Sequence, residues 1–177
     1  MESYWEVVEP LFSIIDFGNG PDAFAKSIAP IQRSSVILFS AHMCLAEVHN
    51  GGFLQLFWNN TGVLAPEGIE GFATIGMPRM AEILSDAARP LGTPYPRDRN
   101  DRWDAMLAAS GYSNSELARI FKKYKDEPKG LYVAFAEATK HLRFEKSDKL
   151  FWESAKTENG GFQEAATRFA QSSYLIG

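Results

Sequence analysis

Cys44 is the only cysteine in 177 residues. It cannot form an internal disulfide framework or a cysteine-based zinc site. No uninterrupted apolar run approaches the roughly 18 to 20 residues that span a bilayer as a helix. The start, Met1-Glu2-Ser3-Tyr4-Trp5-Glu6, lacks the basic and apolar regions of a signal peptide. A cytoplasmic protein without a membrane partner is the expectation. A Gly-rich phosphate loop, a serine-nucleophile elbow and a paired-histidine zinc motif are all missing. Histidine itself is scarce. His42 and His49, seven apart, share a helix face but sit roughly 10.5 Å apart along the axis, too far for one metal ion. His141 lies on a separate segment. No metal, no cofactor and no catalytic constellation are expected. Charge of one sign is not in large excess either, since the net charge is −4.

A substantial core is present in the composition, with 45% hydrophobic and 13% aromatic residues. At this length one domain, residues 1–177, is expected. Helical spacing recurs along the chain while alternating strand patterns are sparse. Val36, Ile37, Leu38, Phe39, Ala41, Met43, Cys44, Leu45 and Val48 are apolar nearly all round, which places a helix over 35–49 at the centre of the fold. Pro66 opens a helix with Ile69, Phe72 and Ala73 inward. Pro78–Ala88 carries a stripe of Met80, Ile83, Leu84 and Ala87. Ser113-x-x-Glu116 is a capping box ahead of Leu117, Ile120 and Phe121. Leu131, Phe135, Ala138 and Leu142 repeat at helical spacing. The fold class is therefore all-α, one compact domain of about eight to ten helices. Residues 89–102, with three prolines and several arginines, read as the one long loop. There Arg97, Arg99 and Arg102 alternate with Asp98, Asp101 and Asp104, a self-neutralising pattern. Residues 153–177 read as a C-terminal helical extension. The basic run Arg119, Lys122, Lys123, Lys125, Lys129 alternates with acids and reads as a solvated helix face.

The most distinctive stretch is Glu47 to Asn60, in which an apolar helix runs into Asn50-Gly51-Gly52. Glycine reaches left-handed conformations without a Cβ penalty, so these residues read as a helix stop. Phe53, Leu56 and Phe57 then begin a second apolar face, and Gln55 and Asn59, four apart, share one side of it. The expected use of the two amides is to satisfy backbone groups freed where the helices meet. Asn159-Gly160-Gly161-Phe162 echoes the turn with different flanks and reads as a reused helix stop.

The ordered residues Glu47, Asn50, Gly51, Gly52, Phe53, Gln55, Phe57, Trp58, Asn59 and Gly62 resemble the DNA-mimic protein 19 family of small bacterial helical domains, most of unknown function. The helix ending at Ile75-Gly76 and the alanine-containing helix after it are similar too. The resemblance is close over 34–90 and looser over 100–152. It implies a helical fold. From the member that gives the family its name, it implies an acidic surface that imitates duplex DNA and occupies a transcription regulator, as a homodimer.

A duplex carries one negative charge per about 1.7 Å of axis, so imitation needs closely ranked carboxylates. Residues 1–78 hold eight acids against two bases, and the remainder carries an excess of bases. A partial acidic face is allowed. A strongly acidic surface overall is excluded. The expected function is that of a non-enzymatic protein-binding module presenting Glu2, Glu6, Glu9, Asp16, Asp22, Glu67 and Glu70 to a nucleic-acid-binding protein, without touching nucleic acid itself. Two alternatives stay open. One is a small-molecule-binding protein or hydrolase with a pocket beside Asn50–Asn59, reached by Gln55 or Asn59. The other is a toxin-immunity-type partner using a similar acidic face.

Overall fold

A computed structural model describes residues 3–173. Its α-helices are α1 (Trp5–Val8), α2 (Pro21–Ile28), α3 (Arg33–Trp58), α4 (Ala65–Thr74), α5 (Pro78–Ala88), α6 (Arg99–Ala109), α7 (Asn114–Tyr124), α8 (Gly130–Thr139), α9 (Phe144–Thr157) and α10 (Phe162–Ser172). Short 3₁₀ turns join several of them, and there is no strand among the described residues. Proline stands in the first turn of α2, α4 and α5, where its missing N–H costs nothing. The predicted capping box at Ser113 and Glu116 is present and starts α7.

The all-round apolar segment of α3 is buried from Val36 to Cys44 except for His42, and α1, α4, α6 and α9 pack along α3 as a whole. Helix α4 comes unusually close. A Cβ added at Gly71 would lie 2.2 Å from the carbonyl oxygen of Ile37, so only glycine permits this approach. The C-terminal helices share the same core. Phe151 of α9 and Phe162, Ala165, Ala166 and Ala170 of α10 join one cluster with Phe53, Phe57 and Phe72. Residues 153–173 therefore close the central core rather than extend from it.

Three local expectations differ from the structure. The loop expected over 89–102 ends at Asp98, whose carboxylate accepts from the amides of Asn100 and Asp101 and so starts α6 at Arg99. Ala73 points to solvent, because α4 turns the Phe72 side to the core. Leu131, the first residue of its predicted stripe, is 55% exposed. It lies in the first turn of α8, ahead of the buried Ala134, Phe135 and Ala138.

Candidate functional site

The Asn-Gly-Gly break lies inside α3. Gly51 (φ −160°, ψ 23°) and Gly52 (φ 75°, ψ −176°) leave helical geometry, and the chain resumes as a short helix over Phe53–Trp58. A helix restart leaves its first amides without intrahelical partners. Asp148 of α9 supplies one acceptor, with its Oδ1 2.7 Å from the Phe53 nitrogen. Its carboxylate occupies the space of a side chain at Gly52, where an added Cβ would lie 2.4 Å from Oδ2. Burial, and to a smaller extent Glu145, push the Asp148 carboxyl above its ordinary range, while the Phe53 amide opposes them.

The motif amides turn inward to an acid. Glu47 Oε2 accepts from Gln55 Nε2 at 2.8 Å and from Asn59 Nδ2 at 2.9 Å. Glu47 Oε1 accepts from Thr61 Oγ1 at 2.5 Å. The three polar side chains thus converge on one carboxylate across the bend. This replaces the expectation that Gln55 and Asn59 serve the backbone. A half-buried carboxylate needs such donors, since each unmet partner carries a desolvation penalty. Hydrogen bonding alone can therefore account for Glu47, Gln55 and Asn59 in the motif.

The far end of the motif helix is closed from α6. Arg102 is fully buried and donates through Nε to the Phe57 carbonyl at 3.1 Å, through Nη2 to Asn59 O at 2.8 Å and through Nη1 to Arg97 O at 2.5 Å. Trp103 Nε1 reaches the Trp58 carbonyl at 3.0 Å, and the two indoles stack at 4.1 Å. Tyr95 Oη donates to Gly62 O at 2.8 Å. A cation against the last carbonyls of a helix is favoured by their partial negative charge. Gly62 is explained by crowding, because an added Cβ would lie 2.6 Å from Arg102 Nε and 2.8 Å from Leu56 O. Arg102 is therefore a helix lock, and the nearby Asp98 and Asp101 charges favour its charged form. Burial lowers the pKa of its guanidinium, an arginine that nonetheless stays charged at neutral pH.

The expected acidic face is divided by the fold. Glu2 lies outside the described residues. Glu6, Glu9 and Asp22 are exposed, and none forms an ion pair among the described residues. Asp16 is half-buried and holds its own loop, accepting from the amides of Gly18 and Asn19 and from the Asn19 side chain. Glu67 is 4% exposed and faces Arg97 at 2.8 Å and Arg33 at 3.6 Å. Glu70 is exposed but pairs with Arg33. Glu67 is thus corrected from a surface acid to an interior ion-pair partner, since α4 turns it toward the two arginines.

Around Glu6 and Glu9 lies an aromatic cluster. Trp5 and Phe12 stand 5.8 Å apart, Trp5 packs on His42 at 5.3 Å, and Phe12 meets Phe39 edge-on at 5.2 Å. Tyr4 Oη and His42 Nδ1 are 3.2 Å apart, and burial lowers the His42 pKa. Trp5, Phe12 and Ile14 remain 39%, 44% and 50% exposed. The signal available in the sequence was the density of large apolar residues, Trp5, Phe12 and Ile14, in a segment too short to bury all of them.

His49 stacks on Trp152 and His141 approaches Tyr112, so the three histidines stand in three different places. No group of three or more His, Cys, Asp or Glu side chains among the described residues could hold a metal ion. No helix among them is long and apolar enough to cross a membrane.

Searches of curated proteins and of solved structures found no match. A family model described as DMP19-like protein matches residues 29–175, which takes in the bend, the Arg102 lock and the C-terminal helices alike. The chain belongs to the DMP19-like family.

Proposed function

We propose that the protein is a non-enzymatic binding module whose N-terminal face, Trp5, Phe12 and Ile14 bordered by Glu6 and Glu9, docks a protein partner. The observation that carries this reading is the coincidence of exposed large apolar side chains with unpaired carboxylates in one short segment. Clustered exposed aromatics mark interaction surfaces more often than chance exposure does. Flanking acids select a partner with basic residues around an apolar patch, as a nucleic-acid-binding regulator offers.

The engagement of Glu67, Glu70 and Asp16 within the fold leaves Glu6, Glu9 and Asp22 as the acids of the predicted set that are exposed and without an ion pair among the described residues. The reading therefore rests on combined apolar and electrostatic docking rather than on a continuous imitation of duplex charge. Gln55 and Asn59, both committed to Glu47, line neither the groove beside α10 nor the cavity of about 190 Å³ beside Gly51.

Affinity capture from native cell extract at low and high salt tests the proposal. Trp5→Ala combined with Phe12→Ala abolishes capture, whereas Glu6→Lys combined with Glu9→Lys weakens it and flattens its salt dependence. If both double variants recover the same proteins as the unaltered chain, the face is not the docking surface. Sedimentation of the same samples tests the homodimer that the family resemblance implies.

A further inference from the structure

A groove of about 810 Å³ opens on a different part of the surface, between Leu45 and His49 of α3, the end of α9 and the first turns of α10. Its volume falls within the range of about 300–1,000 Å³ typical of small-molecule sites. The floor is apolar. Ala155 and Phe162 are buried there, and Tyr4 packs edge-on against Phe162 at 5.5 Å.

The rim is cationic in a chain whose net charge is negative. Arg168 is already committed, donating to the Asn159 carbonyl at 2.5 Å, to its side-chain oxygen at 2.8 Å and to Glu164 at 3.3 Å. Glu164, the one carboxylate among the lining residues, is held by that contact. Lys156 has no carboxylate partner among the described residues. Its ammonium stands 5.1 Å from the ring centre of Trp152, and His49 stacks on the same indole at 4.1 Å and 24°. Burial, and then the Lys156 charge, lower the His49 pKa, so the imidazole stands at the groove as a neutral ring at neutral pH. Lys156 is left as the uncommitted charge beside an apolar floor and a flat aromatic edge.

We propose that this groove binds a small molecule with a flat apolar body and one anionic group, the body resting on Tyr4, Ala155 and Phe162 and the anion meeting Lys156. The site is separate from the Glu47 cluster and meets the N-terminal segment through Tyr4, which shares His42 with Trp5. A lysine ammonium next to an apolar floor selects both halves of such a ligand, because each half alone gains only part of the interaction.

The probe pair is 1-anilinonaphthalene-8-sulfonate and its uncharged counterpart N-phenyl-1-naphthylamine, titrated against the full chain by probe fluorescence. The sulfonate saturates one site. Lys156→Met, an exposed change that leaves the core untouched, weakens it by about tenfold, the size expected for loss of one charge-assisted contact. The same variant changes the neutral probe by less than about twofold, since that probe never met the charge. Gln163→Trp fills the groove and removes both. Should that variant not fold, shifts of the His49 ring resonances on adding sulfonate report occupancy in the unaltered protein. Two results overturn the site: sulfonate binding that is indifferent to Lys156→Met, or His49 resonances that do not move at saturation.

Discussion

The tetrapeptide Asn-Gly-Gly-Phe occurs at 50–53 and again at 159–162, and the two copies take different shapes. Their last glycines agree. Gly52 (φ 75°, ψ −176°) and Gly161 (φ 93°, ψ 160°) both lie in a backbone region essentially reserved for glycine. The residues before them diverge. Gly51 keeps a negative φ, and Asn50 continues the helix, whereas Asn159 (φ 50°) and Gly160 (φ 82°) are both left-handed. One copy interrupts a helix that then continues, while the other ends α9 and begins α10.

Their partners differ in the same way. The first turn faces the Asp148 carboxylate, and its amides fold onto Glu47. In the second, Asn159 donates to the Ile75 carbonyl, and the neighbouring Glu158 accepts from the amides of Arg79 and Met80 at the start of α5. Four identical letters fix where a helix can stop. What stands opposite them decides how the chain leaves.

Substitution at the two equivalent glycines sharpens this contrast most. Gly52→Ala strains φ and drives a methyl into Asp148, and should cost about 3–4 kcal/mol. Gly161→Ala meets only the Lys156 and Ala155 carbonyls at 3.2 and 3.4 Å. It should cost about 1–2 kcal/mol, from the strain with only mild crowding added. Urea unfolding of both variants measures the gap, and equal losses would mean that Asp148 does not distinguish the turns.

Next in size is Glu47→Ala, which leaves three donors without their acceptor and should cost about 2 kcal/mol. Paired with Gln55→Ala in a double-mutant cycle, it should be clearly non-additive, because the two share one interaction. Additive losses would break the cluster as a unit.

Asp148 gives a smaller effect with a definite sign. Its carboxyl is raised by burial, so the folded state holds the proton more tightly than the unfolded chain does. Stability from this group is therefore greatest at low pH and declines as pH rises from the ordinary aspartate range through the raised value. Asp148→Asn keeps an acceptor for Phe53 and removes that decline, which unfolding between pH 3 and pH 7 can follow. Smallest is Asn159→Gly, which keeps the left-handed turn but gives up the side-chain bonds to the Ile75 carbonyl and from Arg168, for about 1 kcal/mol by thermal unfolding.

The helix break was legible because glycine geometry is local and needs no knowledge of neighbours. The central position of the α3 apolar segment was legible for the same reason, since a helix apolar all round must be surrounded. The spacing places Gln55 and Asn59 on one face but does not identify their acceptor. Glu47 lies eight and twelve residues away across a bend whose direction the spacing does not specify. Arg102 and Asp148 were hidden differently. Each is a charged residue in a charged stretch, and only the arrival of α6 and α9 beside α3 turns them into caps. Asp98 carried a usable cue, an N-cap acid followed by a second acid at Asp101, that would have shortened the predicted loop. Glu67 looked like any surface acid until α4 turned it toward Arg33 and Arg97.

The segment Phe53–Trp58 takes a cap for its first amide from Asp148, 95 residues downstream, and caps for its last carbonyls from Arg102 and Trp103, 45 residues downstream. Six residues are too few to persist as a helix alone in water. The segment is therefore a reporter of assembly, ordered only when both distant helices have docked. Its amides should exchange with solvent water in step with those of α6 and α9, so one stretch of hydrogen exchange reads out the cooperativity of the whole core.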